Sequence, residues 1–303
     1  MDAVQALANR CFTTYTPQYP PLRDATMKEF QLDVGSHTIA ARAFGDPAGE
    51  PTLAIHGWLD NLGSMSALAA RLPELNVVAV DLVGHGRSSH RPLGARLHFV
   101  DYVADIVQIL NRLGWDRCTY LGHSMGAGVG TLLAGSFPHR VRSLVLFEGL
   151  GPTTTSAEGA PKRLADSLKA ETFRVPRVYP DKQEAFAKFR DSRSWLSDEP
   201  LERLFERALR EVDGGWVFAH DPRLRLPSIL QMTESMVLGF LNAIACPTLV
   251  VSATRGWPHD AEQMSHRLQA IKNHTHLIVE GNHHLHMEVS DALLLPLRGF
   301  LGL

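Results

Sequence analysis

The stretch Arg117-Cys118-Thr119-Tyr120-Leu121-Gly122-His123-Ser124-Met125-Gly126 decides how this chain is read. Arg117 to Leu121 has the apolar, β-rich character of a buried strand, and the run after Gly126 (AGVGTLLAGSF) is helical. A G-x-S-x-G held between strand and helix is a sharp turn with its serine at the apex. Glycines are needed there because side chains at the flanking positions would collide with the neighbouring strand and helix. The turn lifts the Ser124 hydroxyl clear of a sheet and sets it at a helix N-terminus, where developing negative charge is favoured. Ser124 is the candidate nucleophile.

Outward from this turn, short apolar runs recur with helical patterns between them. Thr52–His56, Asn76–Val80, Arg142–Phe147, Thr248–Ser252 and Thr275–Val279 read as further buried strands. Each is apolar on both faces, as a parallel sheet covered by helices requires. Leu62–Arg71, Phe99–Leu113, Ser124–Ser136, Asp260–Ala270 and Ser290–Phe300 read as helices. KEFQLDV and HTIAARA flank Gly35-Ser36 and read as a hairpin. The rhythm breaks from Pro152 to about Leu241, which is charged and largely helical. Within it, DEPLERLFERALREV (Asp198–Val212) suits one amphipathic helix with Pro200 in its first turn, and Thr153–Pro161 reads as an entry loop. The expected architecture is an α/β fold with a core of residues 1–151 and 241–303 and a helical insertion at 152–240.

The 303 residues are 45% hydrophobic and 20% charged, so a large core is available and wholesale disorder is excluded. A net charge of −2 gives no footprint for nucleic acid. Cys11, Cys118 and Cys246 are three in number and far apart, which argues against a disulfide framework or a zinc ribbon and fits a reducing, cytoplasmic setting. The first residues lack a basic segment followed by an apolar run, so no secretory signal is expected. No apolar stretch is long enough to span a membrane.

A serine hydroxyl needs a base to take its proton. The best source is Gly281-Asn282-His283-His284-Leu285-His286, just after the last strand. His283 is the expected base, His286 its rival, and His284 a pocket or surface residue. The spacing matches no zinc motif, so neither metal nor cofactor is expected. An acid must orient the base. The turn after Thr248–Ser252 carries no carboxylate, which leaves Glu148, at the end of an apolar strand, as the favoured acid and Asp260 as the other. An oxyanion hole needs two backbone N–H groups. Met125, after the serine, and Trp58, in the turn His56-Gly57-Trp58-Leu59-Asp60, are the expected donors, with His56 structural. Asp81-Leu82-Val83-Gly84-His85-Gly86-Arg87-Ser88 reads as scaffold, since its Gly-x-Gly lacks a third glycine in register.

The order HGW, DxxGHGxS, GHSMG, acid, late histidine resembles the α/β-hydrolase superfamily, over Lys28–Gly151 and Cys246–Leu303. Within it, the acid after the strand that follows the elbow helix, GGWVFAHDPRLR and EGNHHLHME are most similar to serine hydrolase-like proteins and related bacterial esterases. The resemblance implies an eight-stranded, mostly parallel sheet with helices on both faces, a helical cap, and hydrolysis of esters or similar acyl compounds. Glu148 departs from the family's commoner aspartate. A serine in place of aspartate at the elbow argues against dehalogenase and epoxide hydrolase chemistry. The expected substrate is a small ester or thioester with an apolar acyl or alcohol part, acted on by a monomer or homodimer. A ligand sensor, a C–C hydrolase and a cofactor-free oxygenase are the alternatives on this scaffold.

Overall fold

The structure is a computed structural model describing residues 28–35, 37–170 and 175–303. The N-terminal stretch read for a leader, Cys11 and Ser36 lie outside the described residues. β1 (Lys28–Val34) and β2 (His37–Gly45) form the expected antiparallel hairpin. Then β3 (Pro51–Ile55), α1 (Gly63–Ala70), β4 (Asn76–Val80), α2 (Asp101–Leu113), β5 (Cys118–His123), α3 (Met125–Ser136) and β6 (Val141–Phe147) alternate. The chain next leaves the sheet through α4 (Ala160–Lys169), α5 (Lys182–Asp191), α6 (Asp198–Phe205), β7 (Leu209–Val212), β8 (Gly215–Phe218) and α7 (Glu234–Ala243). It returns as β9 (Thr248–Arg255), α8 (Ala261–Ala270), β10 (His274–Asn282), α9 (Leu285–Glu288) and α10 (Asp291–Leu301).

Eight strands form one sheet in the order β1-β2-β4-β3-β5-β6-β9-β10. All neighbours from β4 to β10 are parallel; β2 is antiparallel to both β1 and β4. Side chains alternate between faces, as the strand period of two demands. Leu53, Ile55 and Tyr120 join α2 and α3 in one core, whereas Ala54, Leu121 and Phe147 join α1 and α10 in the other. α2 is amphipathic and stops at Gly114, whose φ of 68° provides the left-handed cap. No helix among the described residues is long and apolar enough to cross a membrane.

The inserted stretch departs from expectation in two places. Asp198–Val212 is not one helix: α6 ends at Phe205, and Leu209–Val212 pairs as β7 with β8. The turn Asp213-Gly214-Gly215 explains this, since Gly214 and Gly215 adopt φ of 85° and 141°, as a tight hairpin needs. Helical spacing alone does not register that turn. The boundary at 240 also falls inside α7, whose Val237 and Leu241 are buried with α3 in the main core. The rest of the stretch has its own small core of Phe189, Leu196, Leu201 and Leu204, closed by Met287.

Ion pairs tie this stretch to the sheet, with Arg207 at their centre. Arg207, wholly buried, donates to Asp81 Oδ2 through Nε (3.1 Å) and Nη2 (2.6 Å), and to Glu29 through Nη1 (2.7 Å). Asp81 also accepts from the amides of Leu62 and Arg87, so its turn after β4 is a scaffold built on a buried carboxylate. Burial pushes the Glu29 carboxyl up, but Arg207 and Arg87 outweigh this and hold it at about 2, down from 4.5.

Arg207→Met is expected to lower stability by ~3–5 kcal/mol in urea denaturation, because Asp81 is left buried without its counter-charge. The folded-state pKa of Glu29 is depressed, so its contribution is complete above pH 4.5 and is lost as pH falls towards about 2. Glu29→Gln should flatten the stability profile across that window; an unchanged slope would show that Glu29 does not carry it.

Candidate active site

β5 runs straight into Ser124, and α3 begins at the next residue. Ser124 sits at φ 51°, ψ −109°, a conformation that costs a non-glycine residue roughly 1–3 kcal/mol. The surroundings enforce it. A Cβ on Gly122 would lie 2.6 Å from the Gly126 carbonyl oxygen, and one on Gly126 would lie 2.6 Å from the carbonyl oxygen of Ile55 in β3. Helix, elbow and sheet therefore meet backbone to backbone. The Ser124 amide donates to the Phe147 carbonyl (2.8 Å), which docks the turn on the end of β6.

Glu148 follows Phe147 directly and is buried, with φ 54°. Its Oε1 accepts from the Ala253 amide (2.5 Å), and its Oε2 accepts from the Trp257 amide (2.8 Å) and from His283 Nδ1 (3.0 Å). Burial alone would push this carboxyl up. The hydrogen bonds from His283 and the two amides outweigh it and hold the group below the usual glutamate range. Gly256 is part of the cradle, because a Cβ there would lie 2.1 Å from Oε2. With Nδ1–H donating to a carboxylate, His283 Nε2 is the accepting nitrogen, and it lies 3.0 Å from Ser124 Oγ. Ser124, His283 and Glu148 thus stand in one hydrogen-bonded line.

Asp260 is elsewhere: it caps α8 by accepting from the Gln263 amide (2.8 Å). His286 is also outside the line. It is wholly buried, stacks 4.1 Å from His123 and 5.9 Å from Phe147, and neither ring nitrogen has a hydrogen-bond partner among the described residues. Burial, with its histidine neighbours, keeps it far below the normal histidine range and hence neutral. His284 is a buried network residue, not a surface one; it bonds Asp60 and Trp195.

Met125 is the first residue of α3, so its N–H is among the helix's free first-turn donors. Trp58 lies in the turn after β3, and its half-exposed indole donates to the Leu224 carbonyl (3.0 Å), anchoring that turn to the inserted stretch. His56 is structural: Nδ1–H donates to the Gly57 carbonyl (2.7 Å) while Nε2 accepts from the Leu82 amide (3.0 Å). It splints the turn after β3 to the turn after β4. Exposed Trp257 stands 5.6 Å from the His283 ring, and Trp195 stacks 6.1 Å from His284.

Two contributors had no signal in the sequence. His123, the variable residue of the elbow motif, donates from Nε2 to the His283 carbonyl (2.8 Å) and so holds the loop carrying that ring. Asp60 accepts from His284 Nε2 (3.1 Å) beside it. Neither falls on a motif position, and the two segments meet only in the fold.

Residues 51–289 match the sequence profile of the alpha/beta hydrolase fold family. The chain belongs to that family. This α/β-hydrolase is 32% identical to a serine hydrolase-like protein of Danio rerio, across 96% of its own length and 92% of the relative's. A solved hypothetical protein of Pseudomonas aeruginosa PAO1 is 37% identical, covers 90% of this chain and 97% of its own, and superposes with a TM-score of 0.81. The thioesterase domain from the curacin biosynthetic pathway reaches the same TM-score at 26% identity, over 92% of this chain and 100% of its own. The α/β-hydrolase thus sits with the serine hydrolase-like proteins.

Gly256→Ala is expected to displace the Glu148 carboxylate and cost about 1–3 kcal/mol for the buried bonds it loses. Thermal or urea denaturation reads this, and wild-type stability would show that the cradle tolerates a methyl group.

Proposed function

We propose that this chain is a serine hydrolase that cleaves carboxylic esters or thioesters through an acyl-enzyme on Ser124. The observation that carries the reading is the line Ser124 Oγ, His283, Glu148, with both links at 3.0 Å. His283 Nε2 takes the hydroxyl proton as Ser124 Oγ attacks the carbonyl carbon. The amides of Met125 and Trp58 receive the oxyanion. His283 then passes the proton to the leaving alkoxide or thiolate. Water, deprotonated by the same nitrogen, cleaves the acyl-enzyme and restores Ser124. Glu148 stays ionised and stabilises the imidazolium formed in each half-reaction. The likeness to a thioesterase domain supports including thioesters. Trp257, exposed beside His283, and Trp58, exposed on the turn after β3, favour a substrate with an apolar acyl or alcohol part.

Ser124→Ala should abolish p-nitrophenyl ester turnover and labelling by a fluorophosphonate probe; wild-type rates in that variant would sink the mechanism. Glu148→Gln should cost on the order of 10⁴-fold in kcat. Asp260→Asn and His286→Leu should each stay within about tenfold, since neither side chain meets the line. The opposite ranking would move the acid or the base.

A further inference from the structure

Behind the loop that carries His283, three segments bring their side chains to one point. Asp60 comes from the turn after β3, His123 from the end of β5, and His284 from the turn after β10. They are 5%, 1% and 5% exposed, and one ligand atom from each lies within 4.8 Å of the others. The protons are assigned by the partners. A carbonyl oxygen only accepts, so His123 Nε2 carries hydrogen towards the His283 carbonyl, and Nδ1 carries a lone pair. That Nδ1 has no hydrogen-bond partner among the described residues and faces Asp60 Oδ2 at 3.6 Å. Asp60 Oδ2 already accepts from His284 Nε2 at 3.1 Å. A lone pair and an anion therefore face each other in the interior, too far apart for a hydrogen bond.

We propose that Asp60 Oδ2, His123 Nδ1 and His284 Nε2 form a site for a divalent transition-metal ion of the zinc type, whose binding reversibly inhibits the enzyme. Two imidazoles and one carboxylate suit zinc, not the all-oxygen preference of magnesium or calcium. Taken pair by pair at ~2.05 Å bond lengths, an ion would subtend about 120° across the 3.6 Å pair of Asp60 Oδ2 and His123 Nδ1 and about 100° across the 3.1 Å pair of Asp60 Oδ2 and His284 Nε2; the two histidine nitrogens, within 4.8 Å of each other, must close to about 4 Å to share it. These angles bracket the tetrahedral value. Of the three residues, Asp60 also lines a cavity of about 510 Å³ under the inserted stretch, beside Leu59 and Asn61, which is the side from which an ion would approach. Arg193 and Arg225 on its wall oppose a cation, so binding weaker than that of structural zinc is expected.

The coupling to turnover is specific. His284 Nδ1 accepts from the Trp195 indole (3.1 Å), so Nε2 holds the ring proton that Asp60 receives. An ion on Nε2 moves that proton to Nδ1, sets two N–H groups against each other, and releases the half-exposed Trp195 ring. The same ion draws on His123, which tethers the backbone of His283. Inhibition rests on the hydrolase reading above; binding does not.

The full chain, stripped with EDTA, is titrated with Zn²⁺ alone by calorimetry and tryptophan fluorescence, and with Co²⁺ by visible absorption. Expected are saturable binding, a fluorescence change, tetrahedral Co²⁺ bands, and loss of p-nitrophenyl ester turnover that EDTA restores. Asp60→Asn and His284→Gln should each weaken binding about tenfold or more, while exposed His139→Gln leaves it unchanged. The Co²⁺ spectrum of the wild type decides the matter even if a variant fails to fold. Absent tetrahedral bands, or Zn²⁺ binding that survives both variants intact, overturns the site. Binding without loss of turnover overturns the inhibitory role. A wild type inactive before any metal is added sinks the hydrolase reading and leaves the binding measurements to decide this one.

Discussion

The backbone contact between the elbow and β3 is the constraint on which the rest of the site depends. Gly126 packs so close to the Ile55 carbonyl that even a methyl group is excluded, and Gly122 packs equally close to Gly126. That contact holds Ser124 in a conformation that an isolated chain would abandon, because relief would require parting α3 from the sheet. The same contact brings the turn His56-Gly57-Trp58 beside the start of α3. Ser124 and the turn after β3 are thus positioned by backbone packing, with the His56 and Trp58 side chains fastening that turn.

The parallel sheet extends this order. His123 pairs with Phe147, and Phe147 with Val251, so β5 and β6 end level with each other while β9 runs on past them to Arg255. Ser124 and Glu148 are therefore neighbours because the residues before them are. Each lies at positive φ immediately past its strand, where the chain turns off the sheet. Glu148 replaces its lost hydration with the amides of Ala253 and Trp257, which is how a carboxylate stays charged there.

The inserted stretch is fastened by the opposite means. Besides the apolar packing of α7 on α3, it meets the sheet through polar anchors: Arg207 on Asp81, Asn61 on the Leu204 carbonyl (2.8 Å), and Trp58 on the Leu224 carbonyl. Charged anchors of this kind fix orientation more than they add stability. They suit a segment that covers a pocket and must keep one register above it.

Much was legible before any coordinates. The strand, G-x-S-x-G and helix sequence marked the elbow because sterics leave no other residues possible at the glycines. The apolar runs marked the sheet, because a doubly covered strand must be apolar on both faces, although Thr275–Val279, read as buried, lies in the edge strand β10 with Ile278 exposed. Glu148 was legible as an acid placed where burial demands a partner. The split of Asp198–Val212 into helix and hairpin was hidden, since a helical period does not weigh a Gly-Gly turn or a buried Arg207. His283 was favoured from its place just after the glycine that ends the last strand, but what separates it from His286, three residues on, is which way each ring faces once the loop is packed. Local sterics and hydrophobic period are written along the chain, and they determined the elbow and the sheet. The meeting of Asp60, His123 and His284 joins residues up to 224 positions apart; no local rule records such a distance, and only the tertiary structure decided it.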